Sequence, residues 1–119
     1  MTQLVRYRTL IIGVDFPILH TYLRNAAQSS SNDIQGFVYC GDKKTLPVPL
    51  IKGITAKSPI KVFPLKDLEE AISKLRINKC QFFAQNISMK LANSIINRIT
   101  ACNCMFEFFF SIIQYFILK

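Results

Sequence analysis

The stretch Leu10-Ile11-Ile12-Gly13-Val14-Asp15-Phe16 decides the fold. From Tyr7 to Val14 the chain is almost continuously apolar, the pattern of a strand covered on both faces in a parallel sheet. Gly13 and Asp15 end the run. Pro17 then suits the first turn of a helix, where its missing N–H costs nothing. Working outward, Ile18, Leu19, Tyr22, Leu23, Ala26 and Ala27 recur at helical spacing between Pro17 and Gln28. Ser29 to Asp33 is a breaker cluster, and Ile34 to Cys40 reads as a second strand rich in β-formers.

Gly41 to Pro59 has a different texture, with two glycines, Pro47, Pro49, Pro59 and little periodicity. A connection of that length inside one domain is expected to be either functional or loosely ordered. Ile60–Phe63 is a short strand. Leu65–Leu75 follows as an amphipathic helix with Leu68, Ala71, Ile72 and Leu75 on one face. Its early acids Asp67, Glu69 and Glu70 lie at the positive end of the helix dipole. Cys80–Ala84 is the fourth strand. Ser88 is placed to cap a helix to Ala101 that buries Ala92, Ile95, Ile96 and Ile99, and Met105–Phe110 is a fifth strand.

Alternating strands and helices imply right-handed crossovers and a parallel sheet. The expected fold is therefore α/β, a three-layer Rossmann-like sandwich with a mostly parallel sheet of about five strands. A chain of 119 residues suits one core. We divide it into a domain over 1–110 and an apolar tail over 111–119. Met105 to Leu118 is mostly Phe, Ile, Leu and Tyr, but Glu107, Ser111 and Gln114 interrupt it. A spanning helix needs about 20 apolar residues, which argues against a membrane segment. A tail docking on a protein partner or a membrane is the alternative reading, that of a truncated interaction domain.

Half of the residues are hydrophobic and 18% are charged, which fits a globular domain and excludes wholesale disorder. The net charge of +8 is spread from Arg6 to Lys119 without the compact basic block of a nucleic-acid arm. Lys43, Lys44, Lys52, Lys57 and Lys61 share a segment whose only acid is Asp42, an imbalance that favours an anionic ligand. The cysteines lack paired C-x-x-C spacing, and no secretory leader precedes the first strand, so a reducing cytoplasm is expected. Cys40 and Cys80 fall in strands as small hydrophobes, and Cys102 and Cys104 do not complete a tetrahedral metal set.

Candidate ligand contacts cluster after strand ends, because doubly wound sheets bind ligands at the carboxyl ends of their strands. After the first strand stand Gly13, Asp15 and Phe16. Only Gly13 of the G-x-G-x-x-G fingerprint is present, which argues against a standard dinucleotide turn. After the second strand come Asp42, Lys43 and Lys44, with an acid where a ribose hydroxyl is bound in dinucleotide folds and lysines that suit a phosphate. After the fourth come Gln85 and Asn86, neutral hydrogen-bonding groups before a helix. His20 has no acid or nucleophile with which to form a catalytic group, so no catalytic residue is assigned.

Arg8-Thr9-Leu10-Ile11-Ile12-Gly13 with Asp15-Phe16, then Leu23-Arg24-Asn25, resembles the opening of cyclic 2,3-diphosphoglycerate synthetase-like proteins. Pro59-Ile60-Lys61-Val62-Phe63-Pro64, Asp67-Leu68-Glu69-Glu70-Ala71-Ile72 and Ile77-Asn78-Lys79-Cys80-Gln81-Phe82-Phe83-Ala84 extend the likeness over most of residues 7 to 108. The resemblance implies a Rossmann-like N-terminal domain of an ATP-dependent ligase acting on a phosphorylated small acid. This chain departs from the family pattern at Gly13-Val14-Asp15, at Gln85-Asn86 and at Asp42 to Pro47. It also contains no G-x-x-x-x-G-K-[ST] motif. The expectation is thus a small-anion or nucleotide-binding domain that is not catalytic by itself.

Overall fold

Strand β1 (Tyr7–Gly13) is flanked on both sides by parallel neighbours, β2 (Asn32–Tyr39) and β5 (Lys79–Phe83). The computed structural model describes residues 6–14, 32–41, 50–51, 60–84 and 87–109. With β3 (Leu50–Ile51), β4 (Ile60–Pro64) and β6 (Met105–Phe109) the sheet has the order β3-β4-β2-β1-β5-β6. Five of these strands are parallel, and β3 alone runs antiparallel, against β4. The apolar run of β1 behaves as its sequence indicates: Thr9 to Gly13 are buried without a break.

Helices α1 (Leu68–Lys74) and α2 (Met89–Ala101) cover one face. Leu68, Ala71 and Ile72 from α1 and Ala92, Ile95 and Ile99 from α2 pack on Leu10, Ile12, Val38, Phe63, Cys80 and Phe82. The crossovers β4-to-β5 and β5-to-β6 run in the same direction across the sheet, so right-handed connections place both helices on the same side. The other face carries Ile11, Phe37, Val62 and Phe83, which are buried too. The helix expected over Pro17–Gln28 and the tail 111–119 lie outside the described residues.

Local chemistry fixes the helix ends. Ser88 caps α2 as its position implies, its hydroxyl accepting from the Leu91 N–H at 3.2 Å. Leu65–Asp67 is a 3-10 turn leading into α1, so the helix expected from Leu65 starts in α form only at Leu68. After α1 the chain closes a Schellman turn: Arg76 N–H donates to Ser73 O at 3.2 Å and Ile77 N–H to Ile72 O at 2.9 Å. Arg76 takes the left-handed conformation there (φ 54°), and Asn103 does the same after α2 (φ 59°). Nothing in the sequence reading marks these two positions, because neither is a glycine.

Two polar straps tie the layers together. Arg8 donates from Nε and Nη2 to Leu75 O (3.0 and 2.8 Å), closing the negative end of α1, and from Nη2 to Gln35 Oε1 at 3.1 Å. Gln35 is the extra residue of a β-bulge in β2 opposite Thr9 and Leu10. Arg98 on α2 grips both carboxylate oxygens of Glu69 and donates to Leu65 O at 3.0 Å, fastening α2 to the start of α1. The excursion from Gly41 to Pro59, read as a loop, contains a short strand that the reading did not include. Leu50 and Ile51 pair with Lys61 and Ile60, extending the sheet by a short edge strand.

Truncating Ile99, which is wholly buried under α2, is expected to cost about 2–5 kcal/mol in Ile99→Ala, read from chemical denaturation. Acid is expected to weaken the fold. The Arg98 guanidinium holds Glu69 below its ordinary value. Partial burial pushes Glu107 up, but the Gln81 amide and the Lys79 ammonium outweigh it and leave that carboxyl lowered. Groups with depressed folded-state values stabilise above the unfolded carboxylate value, and that contribution disappears as pH falls through the folded one. The unfolding midpoint should therefore drop as pH falls through the ordinary carboxylate range and below it. In Glu69→Gln/Glu107→Gln that drop should be visibly shallower.

Candidate functional site

All five parallel strands end on one edge, at Gly13, Tyr39, Pro64, Phe83 and Phe109. The chain first builds outward from β1 through β2 to β4, then returns to add β5 and β6 on the other side of β1. Strand order therefore reverses between β1 and β5. Connections leave that point in opposite directions, and in open α/β sheets this opens a crevice outside the carboxyl ends.

Backbone hydrogen bonds finish the rim. Cys40 N–H donates to Gly13 O at 3.1 Å, carrying the β1–β2 ladder one step past the strand end. On the β5–β6 side, Ala84 N–H donates to Phe109 O at 2.8 Å. Phe83 and Phe109 stack at 4.7 Å between centroids and 17° between planes, walling the β5–β6 side. On the helix face Phe82 meets Phe108 edge-on at 5.5 Å.

At the end of β2 the Tyr39 ring folds back over Gly41. A Cβ built at position 41 would collide with the Tyr39 hydroxyl and ring, so only glycine fits beneath the buried phenol. Of the two glycines at this edge, Gly13 is buried and Gly41 half-buried under the Tyr39 ring. Sequence reading passes over the Tyr39–Gly41 pair. The signal was present as an aromatic and a glycine two residues apart, on the same face of a strand end.

Among the expected contacts, Gly13 is placed on this edge, buried and ladder-bonded. Asp15, Phe16, Asp42, Lys43, Lys44, Gln85, Asn86 and His20 lie outside the described residues. All but His20 follow in sequence on described strand ends: Asp15 and Phe16 after Val14, Asp42 to Lys44 after Gly41, and Gln85 and Asn86 after Ala84.

Neither buried thiol, Cys40 one residue past β2 or Cys80 in β5, is poised as a nucleophile. Burial pushes Cys40 up to about 12, and it raises Cys80 further, with Cys104 adding to the rise. Both remain protonated at neutral pH and act as packing groups. The Cys104 thiol donates to Ile77 O at 3.4 Å. Among the described residues no group of His, Cys, Asp and Glu is arranged to hold a metal ion. Among them, too, no helix is long and apolar enough to cross a membrane.

The fold and its rim define a Rossmann-like α/β domain. It is similar to the crystal structure of UDP-D-quinovosamine 4-dehydrogenase from Vibrio fischeri, with a TM-score of 0.67 over 95% of this chain and 86% of that one. Identity between the two is 16%, so the likeness is one of fold. No protein-family model and no curated protein matches the chain by sequence.

Gly41→Ala is expected to lever Tyr39 out of its buried position and to lower stability by about 1–3 kcal/mol, as overpacking does elsewhere. Denaturant unfolding together with tyrosine fluorescence would register both changes.

Proposed function

We propose that the carboxyl edge between β1 and β5 binds a small anionic ligand or a nucleotide, and that the chain alone does not catalyse a reaction. The observation that carries this is the reversal of strand order beside β1. It brings the backbone of Gly13, the Tyr39–Gly41 pair and the Phe83–Phe109 wall to one rim. Asp15, Phe16, Asp42, Lys43, Lys44, Gln85 and Asn86 are proposed to complete the contacts. The lysines would meet phosphate, and Asp42 a hydroxyl.

Two finer readings differ in ligand. The segments resembling cyclic 2,3-diphosphoglycerate synthetase-like ligases favour a phosphorylated small acid. The likeness in fold to a dehydrogenase named for a UDP-sugar favours a nucleotide or nucleotide-sugar. A separate reading, an interaction domain, draws on the apolar end of the sheet. Met105 and Phe106 are 51% and 38% exposed, shortly before the mostly apolar stretch 110–118.

Thermal-shift measurements with nucleoside diphosphates, UDP-sugars, coenzyme A and phosphorylated acids test the binding reading. A ligand at 100 times its dissociation constant adds about 2.7 kcal/mol, a rise of several degrees for a domain of this size. Lys43→Ala/Lys44→Ala, which removes the proposed phosphate contacts, should reduce affinity at least tenfold. A flat response across the panel at millimolar concentrations would overturn the proposal, as would ATP turnover by the purified chain for its non-catalytic part.

A further inference from the structure

The sheet face away from α1 and α2 carries one polar group in an apolar setting. Thr9, Lys79 and Gln81 are all buried, with exposures of 0%, 8% and 2%. Lys79 Nζ and Gln81 Nε2 converge on the same oxygen of Glu107, each at 2.9 Å, and the ammonium lies 4.8 Å above the Tyr7 ring. The Thr9 hydroxyl donates to Tyr7 O at 3.2 Å. Glu107 is the central residue of β6, and within the described strands β6 pairs only with β5, at the end of the sheet.

The rest of β6 carries almost no register information. Met105, Phe106, Phe108 and Phe109 are all large and apolar, so a shift by one residue would exchange one hydrophobic side chain for another at every other position. A register is weakly specified when both faces of a strand look alike. Glu107 is the exception. In the observed register it pairs with Gln81 and reaches Lys79; one step away it would enter the apolar face beside Cys80 and Phe82, leaving a buried ammonium without its acceptor. Lys79 is buried while the Glu107 side chain is 43% exposed; such a half-buried pair adds little net stability, and fixing a register is the best-attested use of ion pairs drawn into a core.

We propose that Glu107 is the register latch of β6, and that through β6 it positions the aromatic wall of the rim. The wall depends on register directly: Phe109 stacks on Phe83, and its carbonyl takes the Ala84 N–H, only when Glu107 stands opposite Gln81. The latch concerns strand pairing alone, so it stands or falls independently of any ligand.

The deciding variant is Lys79→Met/Glu107→Leu, which removes both charges and leaves no unpaired ion in the core. Hydrogen exchange of the amides of residues 105–109 and of Ala84 would be compared with that of Leu10–Ile12 in β1. The latch predicts that protection of β6 relative to β1 falls at least tenfold while the global unfolding midpoint stays near that of the parent. A ratio held within tenfold would overturn it, because a pair that merely adds stability is replaced by apolar side chains without freeing the strand. If the double variant does not fold, Glu107→Gln supplies the same ratio against the same tenfold threshold, since it keeps an acceptor for Gln81 and removes the charge facing Lys79.

Discussion

Everything in this domain depends on β1 being dry on both faces. A strand reading Leu-Ile-Ile between Thr9 and Gly13 has no wet side to offer, so it is stable only as an interior strand with layers above and below. Its backbone groups must then be satisfied by neighbours on both edges, which β2 and β5 supply in parallel. Parallel neighbours require crossovers, crossovers are right-handed, and the two described helices accordingly fall on one side. The site follows from the same constraint. With β1 in the middle and growth in both directions from it, strand order has to reverse there, and the reversal opens the rim.

Much of this was legible from residues alone, for reasons that can be named. The short apolar runs Leu10–Ile12 in β1, Phe37–Tyr39 in β2 and Phe82–Phe83 in β5 point to buried strands. The caps and faces of the helices follow short-range rules, as Ser88 on Leu91 and the Ala92-Ile95-Ile99 stripe illustrate. Ile96, read as core, is only half-buried because it flanks that stripe. What escaped depends on contacts between distant positions. Two residues of β3 carry too little pattern to announce a strand, and they form one because the edge of β4 offers partners. The left-handed Arg76 and Asn103 are set by tertiary closure of each helix onto the next strand.

The polar content of the apolar-looking strands was the other hidden feature. Lys79 precedes Cys80 in sequence and resembles a solvated flank, yet the ladder draws it into β5, where it is buried against Tyr7 and Glu107. Glu107 reads as an interruption of an apolar tail and turns out to be the acceptor that two β5 side chains share. At the candidate site, the position of Gly13 at the end of β1 was readable from the apolar run alone. The Tyr39–Gly41 pair required knowing that the phenol lies back across the chain.

The carboxyl edge beside β1 is the face proposed to bind the ligand. Amide chemical-shift mapping during titration with a nucleoside diphosphate addresses it most directly. Shifts concentrated at Gly13, Gly41 and Ala84, with Arg8, Asn78 and Met105 at the opposite edge unmoved, are the predicted result. Shifts confined to that opposite edge would contradict it.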